Sequence, residues 1–175
     1  MTDLNPYLAQ KRTALDDRRA RIERGAVGPV ALRAEARIEG RSGVRRIRIR
    51  EHAVISDSLP DFAGYDLGPG SPELQLGVLG SCLAHSFLIQ AAAHGVPLDS
   101  LSVEVTATFD PRAGEAGYAD VPVHPQDLAY TIRVASPASE AEIAALHDRV
   151  DRACPILNLL RGPQAIRGRI ARITA

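Results

Sequence analysis

Two residues in this sequence, Cys82 and Cys154, carry thiols that can serve as nucleophile, redox centre or metal ligand, and their surroundings differ. A thiol reacts as its thiolate, so each must be judged by what its neighbours do to the ionised form. Cys82 stands in GSCLAHSFL, where apolar surroundings raise the pKa; read alone, it is an inert core thiol. Cys154 directly precedes Pro155 in DRACPILNLL. That placement suits the N-cap of a helix, where free amides and the helix dipole favour a thiolate, and so a reactive or resolving sulfur. Two cysteines are too few for a disulfide scaffold, and a reducing compartment keeps them as thiols unless they cycle.

The elements that must position these thiols follow from patterning. Asn5 to Arg24 is rich in helix formers and stops at Gly25, which predicts a polar helix. Leu32, Ala34, Ala36 and Ile38 alternate with Arg33, Glu35, Arg37 and Glu39 as a strand; Gly40-Arg41-Ser42-Gly43 turns the chain. Ile47 and Ile49 then alternate with Arg46, Arg48 and Arg50, giving a hairpin with a basic outer face, and Ala53 to Ser56 makes a third strand. Leu59 to Pro72 holds three prolines and three glycines and reads as a loop. It leads into a helix capped by Ser71, opened by Pro72 and Glu73 and stopped by Gly95.

That helix is apolar on nearly every side and has about the length of a membrane span. Glu73, Gln75, His85, Gln90 and His94 would each be costly in lipid, so it reads as the buried centre of the fold, with Gly77 and Gly80 allowing close approach of another backbone. Val103 to Phe109 and Tyr130 to Val134 follow as strands around a loop at Asp110 to Gln126. An amphipathic helix over Ser136 to Ala153, a short helix over Pro155 to Arg161 and a final strand near Arg167 to Ile173 complete the chain. The order implies an α+β fold in which an antiparallel sheet packs on a long central helix.

Twenty-one basic residues balance twenty-one acidic ones, which removes a whole-chain argument for nucleic acid or an anionic membrane as partner. From Lys11 to Arg50, however, thirteen Lys or Arg stand against five Asp or Glu, a pattern that fits the wet faces of a helix and a hairpin. The first seventeen residues carry no apolar run of the secretory kind, so the expected location is the cytoplasm.

Taken together, SPELQLGVLGSCLAHSF, the preceding FAGYDLGPG, the following HGVPLDSLSVEV and the distant DRACPILNLL resemble the osmotically inducible protein C and organic hydroperoxide resistance family. The resemblance covers roughly residues 30 to 173, leaving 1–29 as an N-terminal helical extension before an OsmC-like domain over 30–175. It implies an intertwined homodimer with active sites at the subunit interface, no cofactor, and reduction of organic hydroperoxides or hydrogen peroxide. Cys82 would then be the peroxidatic cysteine and Cys154 its resolving partner. Glu73, nine residues before Cys82, matches the glutamate that orients an activating arginine, and Arg41 matches the hairpin-turn arginine, with Arg37, Arg45 and Arg46 close by. An external dithiol, a lipoylated protein or a thioredoxin-type donor, would reduce the resulting disulfide.

Two other arrangements compete. Cys82, His85, His147 and Cys154 are residue types that suit zinc, although neither half has the paired spacing of a finger or ribbon. A binding protein of the same fold would use the arginine-rich hairpin for an anionic ligand or partner, but such a module has no chemical need for a second thiol.

Overall fold

The computed structural model describes residues 3–172. In chain order its elements are α1 (Asn5–Glu23), β1 (Glu35–Ile38), β2 (Arg45–Ile49), β3 (His52–Ser56), a single 3₁₀ turn (Pro60–Phe62), α2 (Ser71–His94), β4 (Ser100–Thr108), β5 (Gln126–Ala135), α3 (Glu140–Ala153) and α4 (Pro155–Arg161). The α+β class is therefore as expected.

Helix α2 is the axis of the core. Leu79, Leu83, Phe87 and Ala91 are buried against Leu146 and Val150 of α3 and Leu157 of α4. Strand β4 lies along the same helix, and its half-buried Leu101, Val103 and Val105 stand opposite Val134, Ile132 and Tyr130 of β5. Gly80 permits this approach: a Cβ there would sit 3.3 Å from Val105 Cγ2. Gly77, one turn earlier, has open space beside it. The most apolar stretch of α2 is only 33% buried by its own chain, although by length and composition the helix would suffice to cross a membrane.

The strands form two sheets rather than one. Strands β1, β2 and β3 make a three-stranded antiparallel sheet, β4 and β5 a separate antiparallel pair. Register in the first sheet gathers Ile38, Ile47, Ile49 and Val54 on one face and Arg37, Arg46 and Arg48 on the other, with Arg46 opposite Arg37 and Arg48 opposite Glu35. This sheet packs on none of the helices to any extent. Its apolar face consequently stays open, with Ile38 62% exposed.

Three expectations are corrected. Strand β1 begins at Glu35, not Leu32, which is 93% exposed and has nothing to pair with. Helix α3 starts at Glu140 because Ser139, not Ser136, is its N-cap, in a reciprocal capping box with Glu142. Residues 163–172 form no strand, since no ladder partner lies beside them, and Ile166 and Ile170 project into solvent; Ile173 lies outside the described residues.

Helix α1 joins the core near the C-terminal end of α2. Leu8 is buried, Arg12 Nε donates to the Ala92 carbonyl at 2.8 Å, and the Leu98 amide donates to Asn5 Oδ1 at 3.0 Å. Gly95 ends α2 in the left-handed region at φ +71°, and a Cβ there would lie 2.8 Å from Arg12 Nη2. Gly95→Ala is therefore expected to cost about 1–2 kcal/mol, read as a lower midpoint in denaturant with an unchanged slope; an unchanged midpoint would show that the α1–α2 junction tolerates the side chain.

Candidate active site

The Cys154-Pro155 step builds the site. Proline disfavours helical geometry in the residue before it, so α3 stops at Cys154, whose backbone turns to φ −69°, ψ 113°. Cys154 is at once the C-cap of α3, its amide donating to the Val150 carbonyl at 2.8 Å, and the N-cap of α4, its carbonyl accepting from the Asn158 amide at 3.1 Å. The elbow turns its side chain inward, where it is fully buried.

There it meets Cys82, half-buried on α2, and both sulfurs are free thiols. Burial is the largest influence on Cys82 and pushes its pKa up. The Ile156 backbone N–H, in the first turn of α4, pulls it down by hydrogen bonding; the adjacent Cys154 thiol pushes it up again, and the Ser86 hydroxyl, one turn along α2, pulls it down. The net direction is upward, so within one chain Cys82 rests as a thiol. The helix-start amide expected to serve Cys154 in fact serves Cys82.

A cavity of about 460 Å³ opens over Cys82, lined by Leu74, Gly77, Val78, His85 and Ile156. Among the described residues, no Lys or Arg side chain lines it. Loss of hydration and then the Lys11 charge hold His85 below the ordinary histidine range, hence neutral.

Glu73 lies elsewhere. Nine residues of α-helix rise about 13 Å, and its Oε2 accepts the Gly70 amide at 2.6 Å, closing the N-terminus of α2 in place of the expected Ser71 cap. It lines a second cavity, of about 630 Å³, with Arg45, Asp57, Leu59, Phe62 and Phe109. Asp57 organises the glycine-rich loop around that cavity: its Oδ2 accepts the Tyr65 and Leu67 amides at 2.9 and 3.2 Å. Burial pushes this carboxyl up, but the Ser58, Tyr65 and Leu67 amides and the Arg45 charge outweigh it and keep it ionised. Arg45 is braced by the Ser56 and Ser58 hydroxyls, while its Nε and Asp57 Oδ1 are buried without partners.

Among the four arginines, Arg45 alone shares the Glu73 cavity. Arg37 pairs with Glu35 at 3.0 Å and Arg46 with Glu39 at 2.7 Å. Arg41 is exposed at the tip of the β1–β2 turn. One chain thus brings Cys82 and Cys154 together and leaves Glu73 and Arg41 apart from them. The zinc arrangement is not assembled: His147 Nε2 faces Tyr130 and Asp151, and among the described residues no three His, Cys, Asp or Glu side chains cluster as metal ligands. Ser86 was legible in principle, since positions i and i+4 share a helix face; the Ile156 amide and the placing of Arg45 and Asp57 around one cavity depend on tertiary packing.

A family model described as OsmC-like protein matches residues 64–167. This chain belongs to the OsmC-like family. The matched span includes the glycine-rich loop from Gly64 onward, Glu73 and both cysteines, whereas Arg41 and Arg45 precede it. Solved OsmC-like structures share the fold. An OsmC-like protein from Mycoplasma pneumoniae is 19% identical with a TM-score of 0.65, over 77% of this chain and 90% of that one. An organic hydroperoxide resistance protein OsmC from Legionella pneumophila is 16% identical at 0.53, over 78% and 93%. A putative organic hydroperoxide resistance protein from Vibrio cholerae, with captopril bound in one of its active sites, is 18% identical at 0.52, over 78% and 88%. No curated protein sequence matches.

The hydrogen bonds to Cys82 generate a test in this OsmC-like chain. Ser86→Ala removes a donor to the thiolate, so alkylation of Cys82 by iodoacetamide near neutral pH is expected to slow by roughly fivefold. The rates should converge well above the thiol pKa, where both proteins are fully ionised. Equal rates at neutral pH would remove Ser86 from the site.

Proposed function

We propose that this chain is a thiol-dependent peroxidase that reduces organic hydroperoxides and hydrogen peroxide in oxidative-stress defence. The supporting observation is that Cys82 packs against the core cluster that holds Cys154, near enough for the Cys154 thiol to shift its proton equilibrium, although the two lie 72 positions apart in sequence. The Cys82 thiolate attacks the outer peroxide oxygen, the O–O bond breaks, and the alkoxide leaves as an alcohol once protonated. Cys82 is then a sulfenic acid. The Cys154 sulfur attacks it, the S–O bond breaks, water leaves and a disulfide forms. An external dithiol, a lipoylated protein or a thioredoxin-type donor in the cytoplasm, exchanges with that disulfide and restores both thiols.

The first step needs a cation near Cys82 and a donor for the alkoxide. Helix geometry places Glu73 about 13 Å from Cys82 of the same chain, while the open face of α2 and the uncovered apolar sheet both call for a partner surface. The reading is a homodimer in which a second copy supplies Glu73 and the hairpin arginine, Arg41, to the cavity over Cys82.

Two experiments test this. Cys82→Ser should abolish turnover of cumene hydroperoxide with a dithiol reductant, and Cys154→Ser should accumulate a sulfenic acid on Cys82; unchanged turnover in Cys82→Ser would sink the assignment. Mixing Cys82→Ser chains with Glu73→Gln chains, each nearly inactive alone, should restore activity, because each mixed dimer holds one intact shared site. No recovery on mixing would place Glu73 and Cys82 in the same copy or remove Glu73 from the chemistry.

A further inference from the structure

Beyond the cysteines, a polar cluster links the three elements around the Cys154 elbow. Asp151, one turn before Cys154, is its hub. Tyr130 of β5 donates its hydroxyl proton to Asp151 Oδ1, and Arg161, the last residue of α4, donates to Asp151 Oδ2 at 3.0 Å. His147 Nε2 lies 3.0 Å from the same Tyr130 oxygen. Asn158 of α4 reaches back with its side-chain amide to the Asp151 carbonyl at 3.0 Å and the Cys154 carbonyl at 2.8 Å. The first bond satisfies a carbonyl that the end of α3 leaves without a helical partner, since Pro155 has no N–H, and the second joins the Asn158 backbone amide on the Cys154 carbonyl.

The cluster tilts toward the ionised carboxylate. Burial pushes Asp151 up, but the Tyr130 and Arg161 hydrogen bonds and the Arg161 and His147 charges hold it below the ordinary carboxylate range. Burial, followed by the Asp151 contact, pushes Tyr130 up to about 12, so it keeps its proton and remains a donor.

Helix α4 has seven residues and cannot hold its place by its own hydrogen bonds. We infer that Asp151, with Arg161 and Asn158, is a positioning residue for the resolving step: it clamps α4 against α3 and thereby holds the Cys154 sulfur in line with Cys82. This rests on the peroxidase reading above. The clamp makes no contact with Cys82 or the peroxide. Its effect falls on the choice open to the Cys82 sulfenic acid, which either condenses with Cys154, losing water, or meets a second hydroperoxide and becomes a sulfinic acid. Misalignment of about 1 Å can cost a hundredfold in an oriented reaction, so a loosened elbow shifts the partition toward sulfinic acid.

The test uses the full chain in its native assembly. Reduced protein is titrated with cumene hydroperoxide without reductant, and disulfide and Cys82 sulfinic acid are counted by peptide mass spectrometry. Asp151→Asn keeps the shape and the Tyr130 bond but sets an amide against the Arg161 guanidinium; Arg161→Gln cuts the same arm from an exposed side chain. Both are expected to reach half sulfinic acid at hydroperoxide concentrations at least about tenfold below wild type, with Arg161→Lys closer to wild type. Because the partition starts from the sulfenic acid, a general loss of stability or a slower first step does not move it. Wild-type partition in both variants would overturn the clamp. Wild-type protein that forms neither product would overturn the peroxidase reading on which it rests.

Discussion

The rise of an α-helix, about 1.5 Å per residue, is the constraint on which the reading of this molecule depends. Helix α2 carries Glu73 in its first turn and Cys82 nine residues on, so no rotamer joins them within one copy. The same helix is covered on one side by α1, β4, α3 and α4 and left bare around Gly77, Val78 and Ser81. A bare apolar helix face, an unpacked sheet with an apolar side and an acid stranded far from its thiol are the three features on which the proposed second copy rests.

Cys82 itself is a balance of opposed effects. Burial and the neighbouring thiol hold its proton on; the Ile156 amide and Ser86 hydroxyl favour its loss. A resting thiol protected in this way is poorly reactive toward ordinary electrophiles. Completing the cavity with an arginine would tip the balance only where substrate binds, which is where reactivity is useful.

Much of this was legible from residues. The Gly95 stop, the amphipathic pattern of Ile143, Leu146 and Val150 and the alternation of Val103, Val105, Ile132 and Val134 each act through local rules, and the corresponding elements appear. The Cys-Pro step announced the elbow at Cys154. What failed was non-local. Residues 167–172 alternate like a strand, but alternation does not supply a ladder, and they stay unpaired. Leu32 failed for the same reason. Nor does sequence distance report spatial distance: Glu73 and Cys82, nine positions apart, stand about 13 Å apart along the helix, whereas the Ile156 amide, far along the chain, acts on the Cys82 thiol. The Asp151 hub could not be seen either, because the arms from Tyr130 and Arg161 arrive from separate elements.

Whether the Cys82 and Cys154 thiols form a redox pair decides the proposed function. Treating the fully reduced protein with one equivalent of an organic hydroperoxide and mapping its peptides measures this directly. The expected result is loss of both free thiols and a single disulfide between Cys82 and Cys154 of the same chain. Two surviving thiols, or a Cys82 oxidised with Cys154 untouched, would contradict it.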